Sequence, residues 1–143
     1  MANLPDGRVE EVTQDGWRIV RDAMQCATLM GYYMHYNFSC FAGELPDTPV
    51  FWAESITLPD GKSHANALYV SDESLGRPYI VLDKKLESMM PLDRLCLLHE
   101  MVHVSLGPAV SGHGERFIAE FKRVLDANRW EVIGGSDSLD AKP

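Results

Sequence analysis

Residues 92–106 read Leu-Asp-Arg-Leu-Cys-Leu-Leu-His-Glu-Met-Val-His-Val-Ser-Leu, and this run constrains the fold more than any other part of the chain. Pro91 fits a first helical position, Asp93 favours the positive end of the helix dipole, and Gly107-Pro108 is a stop signal. Between those signals apolar side chains lie on every side, and a helix apolar all round is a buried helix. Set into it are His99, Glu100 and His103. Two histidines at this spacing share a helix face, with Cβ atoms about 5–6 Å apart. That suits two nitrogen ligands of one tetrahedral zinc, with the intervening Glu100 in reach of a water beside the ion. An unpaired carboxylate is costly to bury in such a helix, and a nearby divalent cation lowers the cost.

A third ligand has to come from outside the helix. His113 is the favoured candidate, because the chain turns at Gly107-Pro108 and Ser111, Gly112 and Gly114 give the backbone freedom to bring its imidazole back. Glu115 and Glu120 are the rivals and would make a two-histidine, one-carboxylate site. The HExxHxxGxxH spacing of metzincins does not fit, since its third ligand would fall on Ala109.

The rest of the chain divides by periodicity. Residues 9–31 carry Val9, Val12, Ile19, Val20, Ala23, Met24, Ala27 and Met30 at helical spacing, which predicts one long amphipathic helix with a weak point at Asp15-Gly16. Tyr32, Tyr33, Tyr36, Phe38 and Phe41 follow as an aromatic stretch. Three short strands are expected at residues 50–57, 65–70 and 78–82, the first closed by the turn signal Leu58-Pro59-Asp60-Gly61. A final amphipathic helix is expected at residues 115–128, with Phe117, Phe121, Val124 and Leu125 inward. Residues 134–143 read as a disordered tail, leaving residues 1–133 as the domain.

Other single residues carry less. His35 and His64 read as structural or exposed. Tyr69 and Tyr79 lie on strands that can flank a cleft, and either phenol is a candidate for stabilising an oxyanion. Cys96 reads as a small packing residue. Trp17, Trp52 and Trp130 read as core or rim.

With 143 residues the chain is one domain by length, large enough for a core without disulfide staples. Cys26, Cys40 and Cys96 are odd in number and lack paired spacing, so they read as reduced thiols of a cytoplasmic protein. No apolar run reaches the length of a membrane helix. The net charge is −8, and residues 1–76 hold eleven acidic against four basic side chains. Net charge therefore gives DNA binding no support.

The stretch 92–124 resembles the SprT-like family of zinc metallopeptidases, which includes the Spartan proteases. The resemblance rests on the helix ending in HEMVH, on HGERF as a match to an HGxxF element, and on Tyr79-Ile80-Val81-Leu82 before the helix. It implies that His99, His103 and His113 bind zinc and that Glu100 is the catalytic base. It also implies an α+β, zincin-like single domain: N-terminal helix, three-stranded sheet, buried active-site helix, C-terminal helix. The expected activity is hydrolysis of a protein or peptide substrate by a metal-activated water. The alternative is a non-catalytic, zinc-stabilised module that binds protein or DNA.

Overall fold

The computed structural model describes residues 2–4, 7–107 and 113–127. In chain order its strands are β1 (Ala2–Asn3), β2 (Arg8–Val12), β3 (Arg18–Asp22), β4 (Val50–Thr57), β5 (Ala67–Val70) and β6 (Tyr79–Asp83). Its helices are α1 (Ala27–Phe41), α2 (Leu92–Leu106) and α3 (Glu115–Ala127). All six strands form one sheet in the order β1-β2-β3-β4-β6-β5. The β4–β6 pair is parallel and the other pairs are antiparallel. The molecule is mixed α+β as expected, but the sheet is twice as wide as the three strands read from the sequence.

The difference lies at the N-terminus. Residues 9–31 do not form one helix: β2 and β3 make a hairpin, and the first helix starts only at Ala27. Gly16 sits at φ 97° in the connecting turn, where the Trp17 N–H donates to the Thr13 hydroxyl. Along β2 the inward positions are Val9 and Glu11, while Val12 is exposed. Glu11 is tolerated inside because the Arg21 guanidinium donates to its carboxylate at 2.9 Å and the Tyr79 hydroxyl donates at 2.6 Å. A charged residue on the inner face broke the period of two and left a spurious helical spacing.

The aromatic stretch that follows is itself α1. Leu29, Tyr33, Tyr36 and Cys40 form its buried stripe. The Tyr33 hydroxyl anchors it by donating to the Pro46 carbonyl at 2.6 Å. In β4 the pairing passes from Val20–Ser55 to Arg21–Ala53, so Glu54 is the extra residue of a bulge. Val50 and Trp52 consequently pack on the helix side, and Ala53 and Ile56 on the other.

The larger core lies between the sheet and the three helices, and centres on Ile80, Leu82, Leu97, Leu98, Met101 and Val102. It buries one side of α2 but leaves Leu92, Leu95 and Cys96 half-buried, so that helix is less enclosed than its composition implies. Cys26, Cys40 and Cys96 form no disulfide. No helix among the described residues is long and apolar enough to cross a membrane. The expected tail at residues 134–143 lies outside the described residues.

Candidate metal centre

His99 and His103 stand one turn apart on α2, with ring centroids 5.3 Å apart. His113 precedes α3 by two residues and meets both: its Nε2 lies 3.0 Å from His99 Nε2 and 3.3 Å from His103 Nε2. Candidate ligand atoms of the three residues all fall within 4.8 Å of one another. Two nitrogens bound to one tetrahedral ion at about 2.0–2.1 Å stand about 3.3–3.4 Å apart, so this spacing fits a shared cation. The rival ligands stay away. Glu120 is held by Arg123 at 2.8 Å, and neither it nor Glu115 joins the histidine cluster.

The electrostatics suit a ligand set. Burial, with His113 and His103 adding to it, holds His99 down at about 3. Burial and His113 hold His103 down at about 4. Both rings are therefore neutral near pH 7, the form in which imidazole binds a metal. Three imidazoles can hold a metal ion here, and the donor set is compatible with several first-row metals.

Glu100 is 7% exposed, with its Oε2 4.0 Å from His99 Nε2. Burial pushes its carboxyl up to about 8, against the opposing effect of a hydrogen bond from the Tyr69 backbone N–H. Without a nearby positive charge this group keeps its proton at neutral pH. A cation at the histidines favours the ionised form.

Two contributors escaped sequence reasoning. The Phe117 ring lies 4.8, 4.5 and 4.7 Å from the His99, His103 and His113 rings, so one side chain sets the orientation of all three. Its signal was present in the four-residue spacing from His113 within HGERF, a match that gave Phe117 no role beyond the core face. The second is the Tyr69 backbone. Asp83 N–H donates to the Asn66 carbonyl, and the β5–β6 register continues from that pair. In an antiparallel ladder the bonding residues alternate, so Ala67 and Tyr69 turn their N–H and C=O away from β6. Since β5 is the edge of the sheet among the described residues, these groups point away from the ladder.

The two tyrosine phenols are not oxyanion donors of this site. Tyr79 is buried on the opposite side of the sheet and its hydroxyl is committed to Glu11. The Tyr69 ring packs into the core between sheet and helices. His35 is exposed on α1, whereas His64, also exposed, borders the cleft in front of the histidines. That cleft has a volume of about 560 Å³ and runs between β5 and α2. Trp52 is core and Trp17 lies on the cleft rim, while Trp130 is outside the described residues. Comparisons with protein-family models, with curated proteins and with solved structures yield no match to this chain.

Proposed function

We propose that the protein is a zinc-dependent metallopeptidase of the SprT-like, zincin type. The observation that carries this reading is the convergence of three imidazole nitrogens beside the buried carboxylate of Glu100, at the wall of an open cleft. A purely structural zinc site closes its fourth position and has no use for a carboxylate there. His99, His103 and His113 would hold the ion. Bound there, zinc would supply the Lewis acidity that activates a water and polarises a peptide carbonyl.

The chain's own groups do the rest. Glu100 takes the proton of the attacking water on its carboxylate and returns it to the leaving amine nitrogen. The Tyr69 N–H keeps that carboxylate in place during both transfers. Ala67, with N–H and C=O both turned outward, can pair with an extended substrate backbone as one more strand. Recognition of this kind reads the backbone and so accepts unfolded polypeptide of many sequences.

The test compares wild type with Glu100→Gln, both loaded with zinc, on an unfolded protein such as casein. The expected result is about one zinc per chain in both proteins and cleavage by wild type alone. Cleavage by the variant at the wild-type rate would remove Glu100 from the mechanism. Full zinc loading with no cleavage by wild type would favour the non-catalytic binding module.

A further inference from the structure

Helix α1 carries two apolar seams, and the fold uses one of them. Leu29, Tyr33, Tyr36 and Cys40 follow a four-three-four spacing and face the core. Ala27, Gly31, Met34 and Phe38 repeat that spacing two residues earlier, and two residues turn an α-helix through about 200°. They make a second seam on the opposite side. All four are exposed, Met34 at 67% and Phe38 at 81%. A four-three-four spacing is the pattern by which one helix packs along another, yet nothing among the described residues covers this seam.

The middle of the seam is open as well. A Cβ added at Gly31 would meet nothing among the described residues within 4 Å, and its φ is not left-handed. Neither crowding nor backbone geometry calls for glycine here, although glycine inside a helix is costly relative to alanine. The helix is also uncharged. It contains no Asp, Glu, Lys or Arg, in a chain whose net charge is −8.

We infer that α1 is a homodimerisation helix, packing antiparallel against α1 of a second copy across a two-fold axis. Size complementarity is the first reason for this occupant. An antiparallel pair centred between Gly31 and Met34 sets Phe38 of each copy against Ala27 of the other, and Met34 against Gly31. Every large side chain then meets a small residue, and one surface supplies both halves, as a two-fold interface requires. The glycine lets the two backbones approach closely. Charge is the second reason. Two copies at −8 repel each other, and α1 is where they can meet without opposing like charges. With 15 residues the helix is about 22 Å long. One pair of that length falls short of the standard interface of about 1,200–2,000 Å², so the dimer is a weak, reversible one. The cleft takes no lining residue from α1, and pairing leaves both candidate metal centres open. Dimerisation is thus independent of the peptidase reading.

Sedimentation velocity of the full chain tests the pairing over about 10 µM to 1 mM, the range of a weak dissociation constant. Wild type is expected to pass from monomer toward dimer as concentration rises. Phe38→Glu and Gly31→Trp should each weaken the dimer about ten-fold or more, with circular dichroism and zinc stoichiometry unchanged. The tryptophan has room in the monomer, so its effect reports the approach of a second copy. Ala27→Lys mixed with Phe38→Glu should restore a mixed dimer, because antiparallel pairing sets the two new charges against each other. Wild type that stays monomeric throughout overturns the proposal and leaves the seam to residues 128–143 or to a different protein. A dimer that both single variants leave intact also overturns it, as does a mixture that associates no better than Phe38→Glu alone.

Discussion

The backbone N–H of Tyr69 donates to the carboxylate of Glu100, joining the edge of the sheet to the helix that carries two of the three histidines. This one bond ties β5 to α2. It also gives a buried acid one polar partner, which limits the cost of keeping it inside.

The pH dependence of the metal-free protein follows from these groups. His99 and His103 have folded values of about 3 and about 4, below the ordinary 6.5, so the unfolded chain binds more protons and stability rises with pH up to about 6.5. Glu100 is the reverse case. Its folded value of about 8 exceeds the ordinary 4.5, so its contribution is full below pH 4.5 and is lost as pH rises through 8. Chelator-treated protein should therefore be most stable near pH 6.5 and weaken toward pH 8.5. In Glu100→Gln the alkaline decline should vanish, which thermal melts at several pH values will check.

Removal of metal should lower the melting temperature at pH 7. Binding to the folded state alone stabilises by about 4 kcal/mol when free zinc is a thousand-fold above its Kd. His113→Ala should abolish that gain while leaving the metal-free melting temperature nearly unchanged, because the residue is exposed. Calorimetry of both proteins with and without zinc reads the difference.

Phe117 is 3% exposed and touches all three histidine rings, so it should matter twice. Phe117→Ala should cost about 3–5 kcal/mol of stability, the usual range for an emptied aromatic site. Phe117→Leu should lose far less stability yet still bind zinc more weakly, because a flexible aliphatic chain fixes the rings poorly. Competition with a chromogenic chelator will separate the two effects.

Arg21 should be essential for stability and irrelevant to metal. Arg21→Met leaves Glu11, 1% exposed, buried with its charge unpaired, a loss of about 3–5 kcal/mol. Zinc stoichiometry of the folded fraction should stay at the wild-type value. A fall in stoichiometry would link this side of the sheet to the metal centre.

Legibility in the sequence tracked how local each signal was. Residues 50–57 read as a strand because β-branched and aromatic residues are bounded by a strong turn, and β4 has those limits. The α2 helix and its histidines were readable because helical spacing alone puts His99 and His103 on one face. The β2–β3 hairpin was not, because Glu11 occupies an inward position that only Arg21 and Tyr79, distant in sequence, make tolerable. Helix α1 was hidden by its tyrosines, whose helical periodicity was masked by their strand-like composition. The Tyr69 N–H and the Trp17 wall depend on pairing and packing between separate elements, which no local pattern encodes.

The site draws its nitrogens from two places, His99 and His103 on α2 and His113 just ahead of α3. On the ribosome, a chain that has emerged only through α2 offers two imidazoles and lacks the Phe117 ring that orients them. The cluster closes only when α3 docks, so a half-made molecule carries no complete set of three imidazoles.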